Sequence, residues 1–142
     1  MEEENEDILV EGTYEIEHET STNTIIYSFF GNISHELFLK FSKEFLTFQK
    51  KTKAQKIIGD ISKLEAFSEE STHYNDQVLI PAWEKVGVKK NAVIIPEKQY
   101  KEYVLEMLKR KFEKKGEILP QNQKFEVKIT DSIENALTWM AE

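Results

Sequence analysis

The sequence predicts an α/β domain of order ββαβαβαβα, built on a mostly parallel five-strand sheet with an antiparallel edge strand. Three observations predict it. Short apolar and β-branched runs alternate with amphipathic stretches of helical period, the pattern of strands joined by crossover helices. The runs Ile57-Ile58 and Ala92-Val93-Ile94-Ile95 are apolar at consecutive positions, as strands covered on both faces are. The first two runs are separated only by Thr20-Ser21-Thr22-Asn23, a turn cluster too short for a helix, so they form a hairpin.

Met1 to about Gly12 is an acidic leader in which only Ile8, Leu9 and Val10 are able to pack, and it is expected to fray at its start. The folded domain is expected to run from residue 13 to 142. Tyr14, Ile16 and His18 alternate with Glu15, Glu17 and Glu19, the period of a strand with one wet face. Its charge suits a sheet edge, where it discourages pairing with another chain. Thr24 to Phe30 reads as a more buried strand. Asn32 or Ser34 then caps a helix whose apolar face is Leu37, Phe38, Phe41, Phe45 and Phe48, and Lys50, Lys51 and Lys53 suit its negative end.

The third strand, Lys56 to Ile61, carries Asp60 where the chain is expected to leave the sheet for a polar loop. A helical stretch from about Ser68 towards Lys85 follows. Pro81 removes a backbone donor and clashes one turn back, which predicts a kink or two short helices, and Gly87 ends the stretch. After the Ala92–Ile95 strand, Pro96 stops the run. Tyr100, Tyr103, Val104, Met107, Leu108 and Phe112 mark the longest helix, closed by Lys114, Lys115 and Gly116. Phe125, Val127 and Ile129 alternate with charge as in another edge strand. Asp131 with Glu134 reads as a capping box opening a last helix with Ile133, Ala136, Leu137 and Met140 inward.

A chain of 142 residues is one domain by length and needs no metal or disulfide staple. It has no cysteine, which removes thiol catalysis, zinc thiolates and redox switching together. No apolar run approaches the roughly 20 residues that span a bilayer, and the amino terminus is acidic where a signal peptide is basic. A cytoplasmic location is the expectation, and the sequon Asn32-Ile33-Ser34 is then an accident. Residues 1–19 hold nine acids and no Lys or Arg, while the rest of the net charge of −7 sums to about +2. A mildly basic body with an acidic leader argues against a nucleic-acid binder.

The order of elements, with Lys56-Ile-Ile-Gly-Asp-Ile-Ser-Lys-Leu64 at the third strand, resembles the SpoIIAA-like group of STAS domains, the anti-sigma-factor antagonists and their relatives. The features that carry the likeness are Asp60 with Lys63-Leu64, Phe67-Ser68, Pro81-Ala82, and Gly87-Val88-Lys89-Lys90 before the fourth strand. The closest likeness is to a small stand-alone bacterial branch. The resemblance covers about residues 13–142 and implies a singly wound βα superhelix, in which each strand is laid beside the one before. It also implies a phospho-switch serine in an Asp-Ser-Ser-Gly turn at the start of the helix after the third strand. Laid on without gaps, that turn falls on Ser68-Glu69-Glu70-Ser71, which puts Glu70 at the acceptor position. That departure argues against kinase control, although a shift of one or two positions brings Ser68 or Ser71 into place.

These readings yield a non-enzymatic regulatory or interaction domain with a protein partner, a second copy of the chain being one candidate. No cofactor, metal, nucleic acid or membrane is expected. The working face comprises Asp60, Ser62, Ser68, Glu70, Ser71 and Thr72, flanked by Pro96. Asp60 is more often a group that ties down its own loop, and Ser68 more often a plain helix cap. The alternative function is a carrier or sensor of a small apolar ligand, with Tyr74, Pro81 and Trp83 bordering the pocket. His18, His35 and His73 have no metal-ligand spacing, and no catalytic motif is present.

Overall fold

The structure, a computed structural model, describes residues 12–95, 102 and 125–142. The acidic leader, Pro96 and the helix expected around Tyr100–Phe112 lie outside the described residues. Five strands form one sheet in the order β1-β2-β3-β4-β5, so consecutive strands are neighbours throughout. They are β1 (Thr13–Glu19), β2 (Thr24–Ile33), β3 (Lys56–Phe67), β4 (Lys90–Ile94) and β5 (Glu126–Thr130). β1 pairs antiparallel with β2, and every other pairing is parallel. This is the singly wound, mostly parallel sheet with an antiparallel edge that the sequence predicts.

Two cores flank the sheet because side chains alternate along each strand. On one face Ile25, Phe29 and Ile57 meet α1 (His35–Thr52), whose Phe38, Phe41 and Phe45 are buried at its 3–4 spacing. Burial of such a ring contributes about 2 kcal/mol. The same face takes α2 (Glu69–Tyr74), a π-helical turn (Asn75–Leu79) and α3 (Ile80–Lys85), with Trp83 buried between Phe45 and Phe125. On the other face Ile58, Ala92 and Ile94 meet Ala136 and Met140 of α4 (Ile133–Met140). β3 is therefore covered twice, with Ile57 and Ile58 both at 0% exposure.

Three boundaries differ from the sequence reading, each for a local physical reason, and a fourth resolves a choice that it left open. β3 runs on to Phe67 instead of leaving the sheet near Asp60, because β2 is also longer and offers partners as far as Ile33 opposite Phe67. That pairing survives two register shifts, between Ser28 and Phe30 and between Gly31 and Asn32, where β3 carries an extra residue each time. Gly31 sits at the second shift with φ 78°, a conformation that glycine adopts without a Cβ clash. The irregularity expected at Pro81 lies upstream of it, as the π turn, in which Ile80 N–H bonds back to Asn75 C=O, one residue further than in a regular helix. α4 is capped by Ser132, whose Oγ accepts from Asn135 N–H at 3.1 Å, while Asp131 instead accepts from the Asn135 side chain at 3.3 Å. The first long helix takes the second of its two candidate caps, with Ser34 Oγ accepting from Leu37 N–H at 3.1 Å.

Candidate functional site

β2 and β3 are parallel neighbours, so the helices that follow them begin side by side at one end of the sheet. α1 begins on Ser34 and α2 on Ser68, whose Oγ accepts from Ser71 N–H at 3.0 Å. His35, the first residue of α1, reaches across the gap between them. Its Nδ1 lies 3.0 Å from Ser71 Oγ and its Nε2 lies 3.6 Å from the Glu70 carboxylate. Tyr74 stands edge-on to the imidazole at 6.1 Å between centroids. Ser68 Oγ donates to Ser71 Oγ at 2.9 Å, which completes a line of four side chains, Ser68–Ser71–His35–Glu70.

Burial divides the roles within this line. Ser71 is at 0% exposure, so its hydroxyl serves the network and is closed to solvent. His35 is 23% exposed and Glu70 is 72% exposed, which leaves the carboxylate at the surface while the imidazole beside it is held. Thr72 and Glu69 are exposed next to Glu70. Thr72 Oγ1 and N–H both donate to Ser68 C=O, at 3.1 and 3.0 Å, which fixes the first turn of α2.

The structure does not bring all the sequence-predicted residues together. Asp60 lies opposite Ser28 and Ile94 within the sheet, eight residues and about 25 Å of extended chain before Ser68. Its Oδ1 accepts from both Ser62 N–H (3.0 Å) and Ser62 Oγ (2.6 Å), and so braces the first register shift of β3. Asp60 and Ser62 thus form one local motif, and Ser68, Glu70, Ser71 and Thr72 another. Pro96 lies outside the described residues. Tyr74 packs against His35 and Phe38, and Trp83 against Phe45 and Phe125, while Pro81 is exposed.

Nothing local in the sequence marks His35 as a site residue. Its contact spans 36 positions in sequence, and no motif spacing announces it. The usable signal was topological: successive parallel strands place their following helix starts next to each other, so Ser34-His35 and Ser68–Ser71 had to be neighbours. Among the described residues no group of three His, Asp or Glu side chains is gathered for a metal ion. No described helix is long and apolar enough to cross a membrane.

No family model matches the sequence, and neither does any curated protein. Among solved structures the chain is similar to an uncharacterized protein of the DUF3478 family with a SpoIIAA-like fold from Shewanella loihica PV-4. The two are 18% identical, the match covers 91% of this chain and 94% of that one, and the TM-score is 0.61. At that identity the likeness establishes the fold, which is SpoIIAA-like, of the kind found in STAS domains.

Proposed function

We propose that this chain is a non-enzymatic regulatory domain that binds a protein partner through the paired starts of α1 and α2. The observation that supports it is the Ser68–Ser71–His35–Glu70 line: a fixed network with its carboxylate end at the surface, where the resemblance to anti-sigma-factor antagonists locates their switch. Glu70 supplies a permanent negative charge there. It gives one charge and two acceptor oxygens where a phosphate gives up to two charges and three oxygens. The surface therefore carries its charge without a kinase and needs no cofactor. Buried Ser71 and inward-bonded Ser68 are poor phosphate acceptors in this geometry.

The test is capture of a partner from native lysate by the wild type, by Glu70→Arg and by Lys50→Glu, the last an exposed change at the far end of α1. The expected result is one protein retained by wild type and Lys50→Glu and reduced at least tenfold by Glu70→Arg, with no phosphate on wild-type Ser68 or Ser71 by mass spectrometry. Equal capture by Glu70→Arg, or phosphate on either serine with loss of binding, overturns the reading.

A further inference from the structure

The Ser68–Ser71–His35–Glu70 line has a direction. A serine hydroxyl carries one proton and two lone pairs. Ser71 Oγ uses a lone pair to accept from Ser68 Oγ at 2.9 Å, which leaves its own proton for His35 Nδ1 at 3.0 Å. Nδ1 accepts that proton only when the imidazole is neutral and carries its hydrogen on Nε2. That hydrogen faces the Glu70 carboxylate at 3.6 Å, the neighbour that favours this tautomer. Every proton in the line then points from Ser68 towards Glu70.

Protonation of the imidazole reverses part of this order. Nδ1 becomes a donor and no longer takes the Ser71 proton. Ser71 is fully buried, so that proton has no bulk water to go to, and a buried unsatisfied hydroxyl is costly. Ser68 Oγ is the hydroxyl oxygen already within hydrogen-bond distance. When Ser68 accepts from Ser71, its own O–H loses its inward acceptor and turns to solvent, where Ser68 is half-buried at the α2 start.

We propose that His35 is a proton-operated latch on the contact surface, holding the Ser68 hydroxyl inward when neutral and releasing it outward as a donor when charged. This rests on the reading of the helix starts as that surface. The groups facing the imidazole set the sign. Glu70 and the Tyr74 phenol face it from α2, Glu36 follows it on α1, and the preceding strands end in the uncharged Ile33 and Phe67. Glu70 attracts a positive charge on the ring, so the charged imidazole stays against α2 while the Ser68 hydroxyl turns outward. A partner that accepts a hydrogen bond from Ser68 binds more tightly when His35 is charged.

The test needs no partner, so its failure leaves the interaction reading standing, whereas failure of the capture experiment leaves the proton exchange but removes the contact surface that it serves. Nitrogen-15 spectra of the whole chain are followed from about pH 8 to about pH 5, the span over which histidine changes charge. His73, a second imidazole on α2, is replaced by Gln throughout. The expected result is an Nε2–H tautomer for His35 at high pH, with the Ser71 and Thr72 amides shifting at the midpoint of the His35 ring. His35→Gln and Ser71→Ala should each lose the amide shifts, while the ring still titrates in Ser71→Ala. An Nδ1–H tautomer at high pH, amides indifferent to the ring, or shifts that persist in Ser71→Ala would overturn the latch.

Discussion

Gly59 shows how a single missing atom shapes the first core. It lies opposite Tyr27 in the sheet, and a Cβ built on it would stand 2.4 Å from the Tyr27 hydroxyl oxygen and 2.5 Å from the ring carbon that bears it. Tyr27 lies across the strand at that point and packs its ring against Phe29, Phe41 and Phe45, so it has little room to retreat. Gly59→Ala should therefore destabilise the protein by about 2 kcal/mol through overpacking, read as a lower urea midpoint at unchanged slope. Combining it with Tyr27→Leu should cost less than the sum of the two single changes, and strict additivity would exclude the steric account. A second residue, Glu19, closes the β1–β2 turn. Bonds from the Thr22 and Ser21 hydroxyls and the Thr22 amide hold its carboxyl down at about 2, from an ordinary 4.5. A carboxyl lowered on folding contributes stability above its unfolded value and loses it as pH falls through the folded one. The stability difference between wild type and Glu19→Gln should therefore be constant above about pH 5 and shrink between about pH 4.5 and about pH 2. The alternation of Tyr14, Ile16 and His18 with glutamates was legible because strand period is local. The role of Gly59 was not, because it depends on a ring supplied by the neighbouring strand.

At the scale of elements, the segment from Glu69 to Lys85 is where proline chemistry and sequence pattern meet. An interior proline in a regular helix costs about 3 kcal/mol, from the lost hydrogen bond and the clash with the carbonyl four residues back. Here a π turn over Asn75–Leu79, wider than a regular helical turn, leads into Pro81, and Leu79 and Trp83 on either side of it stay buried. Pro81→Ala should accordingly raise stability by less than about 1 kcal/mol, and a gain near 3 would mean that the clash persists. The same packing bears on ligand uptake. With Trp83 between Phe45 and Phe125, and Tyr74 against Phe38, a fluorescent fatty-acid probe should fail to bind stoichiometrically, and one-to-one uptake would revive the carrier reading. The sequence located this break correctly to within one turn, since proline acts on its own backbone. It misplaced the end of β3, since Ser62–Phe67 is polar and mixed in pattern, and its strand character comes from pairing with β2 through two bulges. A strand ending at Asp60 would join that residue to the helix start in one loop, whereas the extended strand separates them.

For the molecule as a whole, the second face of the sheet depends on α4, a helix of eight residues that would be marginal alone in water. Two kinds of tertiary contact hold it. Ala136 and Met140, both at 0% exposure, pack on Ile58, Ala92 and Ile94, with Ile133 and Leu137 at the margin. At its carboxyl end Lys56 Nζ donates to Met140 C=O at 2.6 Å, and Lys90 Nζ donates to Trp139 C=O at 2.8 Å and Glu142 C=O at 3.3 Å. These ammonium groups come from the first residues of β3 and β4, and they meet the negative end of the helix dipole, adding donors to the carbonyls of its last turn and of the chain end beyond it. Lys90 also lies over the Trp139 ring, 5.0 Å from its centroid. The strand starts thus grip the helix that covers them, and among the described residues α4 supplies the cover on the second face of β3. Met140→Ala should therefore cost about 2–5 kcal/mol, the range for deleting a fully buried methionine, because the cavity opens at the point where β3, β4 and α4 converge. Exposed Thr138→Ala, two residues away on the same helix, should stay within about 0.5 kcal/mol of wild type. Both are read from urea unfolding monitored by tryptophan fluorescence, with Trp83 reporting on one face and Trp139 on the other. If the two faces form one cooperative unit, Met140→Ala lowers a single shared midpoint. Loss of the α4 signal alone, with the Trp83 transition unmoved, would mean that the sheet stands without its second cover.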